Sequence, residues 1–133
     1  GGQLTPEQKG LRGFYADLLR LVNQSHAIRH GAFYDLQYAN QQTPGYNAAK
    51  MYAYLRHSDR QKLLIVCNFD LTNGADAQLQ IPPHAWETMG LSADGKYTLK
   101  EIFHHPQQLT LSAKEGVPLQ MQANSVRIFE ILK

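Results

Sequence analysis

Leu11, Phe14, Tyr15, Leu18, Leu19 and Val22 recur at helical steps along the first stretch of the chain, the spacing that places apolar side chains on one side of a helix. The residues before them suit a helix start. Thr5 stands at an N-cap position, Pro6 at the first helical position, and Gln8 where a capping-box partner reaches back. The pattern predicts a helix from Pro6 to about Asn23. Gly10 and Gly13 oppose it, each by about 1 kcal/mol relative to alanine. At about 100° per residue, Leu11, Phe14, Tyr15, Leu18, Leu19, Leu21 and Val22 sweep an arc of roughly 160°. A helix resting on one surface needs little more than about 100°. The surplus predicts two neighbours, one on each flank.

After His30 the texture changes. Gly31 to Tyr38 alternates, with Tyr34, Leu36 and Tyr38 on one face, and Asn40 to Asn47 reads as a loop around Pro44-Gly45. Met51 to Arg56 is a strand, with Tyr52 and Tyr54 on one face and Met51, Ala53 and Leu55 on the other. Ser58 to Gln61 connects it to a run from Leu63 to Phe69 that is nearly all apolar. Such a run predicts a central strand covered on both faces. A turn at Thr72-Asn73-Gly74 leads into a short strand from Ala77 to Ile81, ended by Pro82-Pro83, and Pro83 to Met89 has room for one helical turn. Further strands fall at Tyr97 to Ile102, Leu109 to Leu111, Val117 to Met121 and Val126 to Leu132. About eight short strands so closely spaced predict a mainly β chain, an antiparallel sandwich with one N-terminal helix. The one boundary lies near Ser25 to Gly31, separating a helical segment, 1–25, from the sandwich, 26–133.

Length and composition narrow the picture. The 133 residues are enough for one domain with a real core, and 43% apolar with 18% charged residues excludes a disordered chain. The longest wholly apolar run, Leu63 to Cys67, is too short to span a bilayer, so no membrane span is expected. Net charge is +2 with no basic run, which speaks against nucleic acid as a partner. The single cysteine, Cys67, excludes an internal disulfide and is expected to be a buried, slowly reacting thiol.

Catalytic chemistry has no footing in the pattern. The 11 carboxylates include Asp59, Asp70, Asp76, Asp94 and Glu115 in turns or loops, and none forms the facing pair a glycosidase needs. His26 and His30 would share a helical face, but Gly31 stops the helix beside them; His104-His105 precedes Pro106 in a loop. Neither pair has the acidic partner a metal site requires, so no metal and no cofactor are expected. No nucleophile motif or phosphate loop occurs. Of the aromatics Tyr34, Tyr38, Tyr46, Tyr52, Tyr54 and Trp86, those on strands are expected to pack inward. Tyr46 and Trp86, in loop contexts, are the candidates for exposed rings that stack on sugar.

The stretch Leu11-Arg12-Gly13-Phe14-Tyr15-Ala16-Asp17-Leu18-Leu19-Arg20-Leu21, followed by Ala27-Ile28-Arg29-His30-Gly31, resembles the junction between catalytic barrel and C-terminal domain in glycoside hydrolase family 13, the α-amylase family. Met51 to Arg56 with Leu63 to Phe69 is similar to that family's paired strands, and Val126 to Leu132 to its closing strand. The resemblance implies a Greek-key β-sandwich docked on a (β/α)8 barrel, with the N-terminal helix as the last helix of that barrel. It implies a non-catalytic accessory domain that stabilises an enzyme acting on α-glucans, since the family's catalytic carboxylates lie in the barrel and none of their motifs occurs here. The implied partner is the barrel of the same parent chain, met through Leu11, Phe14, Tyr15, Leu18, Leu21 and Val22, with weak α-glucan contact and self-association through the helix as lesser expectations. The alternative is an independent carbohydrate-binding module, which would have no use for a helix with so wide an apolar stripe.

Overall fold

The computed structural model describes residues 5–103 and 107–133, with the side chains of 7–12 and 15 left aside. Helix α1 runs Pro6–Gln24, and its bounds match the spacing of its apolar residues. It ends at Ser25, whose backbone is extended and whose Oγ donates to the Leu21 carbonyl at 2.6 Å. A short helix α2, His26–His30, follows, with the Ala27 N–H donating to Gln61 Oε1 at 3.1 Å. Gly31 is required there by space. A Cβ would lie 2.2 Å from the Ala27 carbonyl oxygen and 2.6 Å from that of His57.

The strands are β1 Ala32–Asp35, β2 Met51–His57, β3 Lys62–Asn68, β4 Ala75–Leu79, β5 Lys96–Glu101, β6 Gln108–Ser112, β7 Val117–Met121 and β8 Ser125–Leu132, and helix α3 is Pro83–Thr88. They form a six-stranded sheet, in order β1-β2-β3-β8-β5-β6, and a two-stranded sheet, β4-β7. Every pairing is antiparallel. The architecture is therefore the mainly β, two-sheet fold expected from the strand spacing.

The large sheet has two unlike faces. Its inner face presents Met51, Ala53 and Leu55 from β2, Leu64 and Val66 from β3, Phe129 and Ile131 from β8, and Tyr97 and Leu99 from β5. These pack against the β4-β7 pair and α3 in one cluster. Fully burying each such Leu or Phe contributes about 1.5–3 kcal/mol. The outer face holds a smaller cluster, Leu63, Ile65 and Ile128 with Ala27 and Phe103. Phe14, Leu18 and Leu21 of α1 pack onto it. Strand β3 is thus covered on both faces over Leu63 to Val66, all buried, as its unbroken apolar run predicts.

One strand is shorter than expected. The alternation through Tyr38 does not hold, because the chain leaves the sheet after Asp35 and forms a 3-10 turn over Gln37–Ala39. Asp35 Oδ1 accepts the Gln37 N–H at 2.7 Å, and the Gln37 side chain donates to the Met51 carbonyl at 3.0 Å. Side-chain acceptors of this kind offer the backbone a turn in place of a ladder.

Two buried amides fasten the loops. Asn40 donates to the Leu36 and Gln80 carbonyls at 2.9 and 3.0 Å and accepts from the Gln80 N–H at 2.8 Å and Thr43 Oγ at 2.9 Å. Asn68 donates to the Asn73 and Gln122 carbonyls at 3.1 and 3.0 Å. At the rim of the inner face, Arg127 makes a two-pronged ion pair with the buried Glu101, at 2.6 and 3.0 Å. The same guanidinium donates to the Gln120 carbonyl and to Gln107 Oε1, and lies 4.9 Å from the Phe129 ring centre.

Candidate functional site

The sheet's outer face is only partly covered. Phe14 meets Phe103 edge to face at 5.3 Å, and Leu18 and Leu21 lie half-buried above Ile65 and Ile128. Beside α1 the sheet is open. A groove of about 690 Å³ is walled by Leu18 and Val22 on one side and floored by Tyr52, Cys67 and Val126, which are cross-strand neighbours in register. Its far wall is a row of rings: Phe33 lies 5.1 Å from Tyr54, and Tyr54 lies 5.5 Å from Tyr52. Leu19, one step round the helix, is 63% exposed. Of the predicted docking residues, the structure brings Phe14, Leu18 and Leu21 to the chain's own sheet and Val22 to the groove. The side chains of Leu11 and Tyr15 lie outside the described residues.

Cys67 is a correction. It is half-buried rather than buried, because it lies in the floor of the open groove beside α1. Burial still pushes its pKa up, which holds back the reactive thiolate.

Tyr46 and Trp86 are the larger correction. Tyr46 is 6% and Trp86 1% exposed, so neither offers a ring face to a sugar. Trp86 stacks on Tyr97 at 4.7 Å, with ring planes only 11° apart. The Tyr46 hydroxyl donates to Gln37 Oε1, and burial raises its pKa to about 12. Both sit in connecting segments that fold back over the inner face. Gly45 is the reason Tyr46 can tuck in: it takes φ +80°, and a Cβ would lie 2.0 Å from the Asp76 carbonyl oxygen.

The rings that do reach solvent are elsewhere. Tyr38, on the 3-10 turn, is 58% exposed. Its hydroxyl bonds that of Tyr34, which also bonds His84 Nδ1 at 2.8 Å. The three rings form a bent strip, with centres 6.2 and 5.6 Å apart and planes turned by 54° and 43°. Desolvation first, and the bond to Tyr38 second, raise the Tyr34 pKa to about 12. The phenol therefore stays protonated at any working pH. Sequence reasoning placed Tyr34 and Tyr38 on one strand face and passed over His84. The polar run Gln37-Tyr38-Ala39-Asn40-Gln41-Gln42 was the available sign that Tyr38 faces water.

Among the described residues no three His, Cys, Asp or Glu side chains gather as metal ligands, and no helix is long and apolar enough to cross a membrane. His26 and His30 rings do approach to 5.0 Å, but His26 Nδ1 is engaged by Ser58 Oγ at 2.7 Å. His104 and His105 lie outside the described residues. The remaining carboxylate of note is Asp70, which accepts the Thr72 and Asn73 N–H groups at 3.0 Å each. Those backbone bonds lower its pKa to about 2.

Comparison with known proteins bears on the same regions. Residues 46–131 match the family described as alpha amylase, C-terminal all-beta domain. No curated protein matches. Solved structures that match include a trehalose-6-phosphate hydrolase of Bacillus licheniformis, at 19% identity and a TM-score of 0.46, covering 90% of this chain and 18% of that chain. Another is an isomaltulose synthase of Klebsiella sp. LX3, at 19% identity and a TM-score of 0.43, covering 88% of this chain and 17% of that one. The chain thus spans under a fifth of the length of these two proteins.

Proposed function

The chain belongs to the family of α-amylase C-terminal all-β domains, and from that premise we propose that it is the non-catalytic accessory part of an α-amylase-type glycoside hydrolase or transglycosylase acting on α-glucans. In this reading it rests against the catalytic barrel of its parent chain and stabilises it. The observation that carries the reading is the contrast on α1. The family match covers residues 46–131, and α1 precedes it. One flank of this helix, Phe14, Leu18 and Leu21, is used on the sheet, while Leu19 and the adjoining groove remain open. Apolar surface left in water is unfavourable by about 25 cal/mol per Å². A ring-lined groove continuous with the open helix flank is therefore suited to a second apolar surface of the same protein.

Two measurements test it. The 133-residue chain, incubated with starch, maltodextrin, pullulan and a chromogenic α-glucoside, is expected to release no reducing ends. Turnover that survives repurification and is lost on replacing one carboxylate would refute the non-catalytic reading. In the parent enzyme, Leu19→Glu with Val22→Glu is expected to shorten the half-life of thermal inactivation while leaving KM for a short maltooligosaccharide unchanged. An unaltered half-life would remove the docking role.

A further inference from the structure

We infer that Tyr34, Tyr38 and His84 form a surface binding site for a carbohydrate chain, on the opposite side of the domain from the open groove. The placement follows from register. Tyr34 pairs with Leu55, an inner-face residue, so its ring lies on the inner-face side of the edge strand β1. His84 belongs to α3, which packs on that same side. The outer face, with α1 and its groove, is turned away. A surface docked there leaves this strip in solvent.

The chemistry of the strip selects the ligand class. A pyranose ring has an apolar C–H face and an edge of hydroxyls. Its recognition needs an aromatic face together with neutral hydrogen-bonding groups in the same plane of reach. Tyr38 supplies the exposed ring, and the Tyr34 hydroxyl and His84 imidazole supply the polar edge. The hydroxyl-to-hydroxyl and hydroxyl-to-imidazole bonds hold the three rings before any ligand arrives, which lowers the ordering cost of binding. Gln41, whose amide donates to the Gln37 carbonyl at 3.1 Å, adds a further amide to the turn that carries Tyr38. Size argues against a protein partner. A stable protein interface covers about 800 Å² on each side. An aromatic side chain buries at most about 150–250 Å², and Tyr34 is already partly covered. Three rings suit one to three sugar units instead.

The site is separate from the barrel-docking proposal and rests on it only for the choice of an α-1,4-glucan as first probe. The test is a titration of the 133-residue chain with maltoheptaose, and in parallel with cellohexaose, followed by the NMR signals of the Tyr34, Tyr38 and His84 rings. Saturable shifts of these rings are expected. Tyr38→Ala should weaken binding by at least about tenfold, and His84→Ala should weaken it less, with melting temperature unchanged in both. The absence of saturation with either sugar would overturn the inference. So would binding that survives both substitutions, or shifts confined to Gln120 and Arg127 at the rim of the inner face. Binding of cellohexaose alone, lost in the same variants, would uphold the site while counting against α-glucan as the parent's substrate. Failure of the site would leave the docking proposal untouched, since Leu19 and Val22 lie on the other face.

Discussion

The two faces of the large sheet are made from the same strands, yet they differ in completeness. On the inner face, Leu55, Leu64, Val66 and Phe129 are sealed by the β4-β7 pair and α3, with the Glu101–Arg127 pair at the rim. On the outer face, Ile65 and Ile128 are buried beside α1, yet together with the half-buried Cys67 and Val126 they line an open groove. The contrast teaches that alternation along a strand records what each side chain will face, not when its cover is supplied. The apolar run of β3 was written for two covers, and this chain brings one whole cover and part of another.

The sharpest way to break the comparison is at the closed face. Arg127→Ala strands the Glu101 carboxylate in a nearly dry site and is expected to cost about 3–5 kcal/mol, read as a drop in the urea midpoint at pH 7. A loss below about 1 kcal/mol would mean that water reaches Glu101 and that the rim is open. The next effect belongs to α1. Phe14→Glu with Leu18→Glu removes half-buried contacts and should cost about 2–3 kcal/mol, with loss of amide-exchange protection along the helix. Sedimentation tests the open flank at the same time. Self-association of the unsubstituted 133-residue chain that the double variant abolishes would show that a second copy can serve as cover. A strictly monomeric chain with full protection along α1 would show that the helix needs no cover.

Cys67 should give a smaller signal. Cys67→Ser is expected to destabilise by about 1 kcal/mol, at the low end for a buried hydroxyl because the site is half open. Native-state labelling should be faster than for a core thiol. Because the thiol pKa is raised, the rise of labelling rate with pH should come later than for a free cysteine. A labelling rate equal to the unfolding rate would return Cys67 to the closed class.

The smallest effect is at Asp70. Its folded pKa of about 2 lies below the ordinary aspartate value of about 3.9. Its stabilising contribution is therefore complete above that ordinary value and fades as pH falls through 2. Acid titration of the Asp70→Asn variant should lack this part of the decline. Identical acid profiles would show that the turn at Asp70 to Asn73 does not depend on the charge.

Periodicity made the strands and α1 legible, because each answers to a local repeat of two or near four. It could not report where connecting segments lie in space. Tyr46 and Trp86 stand among prolines, glycines and polar residues, which mark a turn in the backbone but say nothing of the ring. The turn at Gly45 and the single helical turn at Pro83 each swing a ring back under the sheet. Tyr38 erred the other way: Asp35 and Gln37 drew the chain out of the strand, and a residue read as packing inward came to the surface. Cys67 was misjudged because α1 covers one side of the outer face and leaves a groove beside it. Other contacts that hold these segments join residues far apart in sequence, as Asn40 with Gln80 and Tyr34 with His84.

The position of β8 has a consequence for synthesis. It lies between β3 and β5 and pairs with both, and among the described strands it alone bridges β1-β2-β3 and β5-β6. Strands made much earlier must wait for residues 125–132 to leave the ribosome before the sheet can close. Until then β3 and β5 expose unpaired edges, the kind of template on which chains aggregate. A chain stopped at Asn124 would hold nearly all of its apolar residues, but β1-β2-β3 and β5-β6 would have no strand to join them into one sheet.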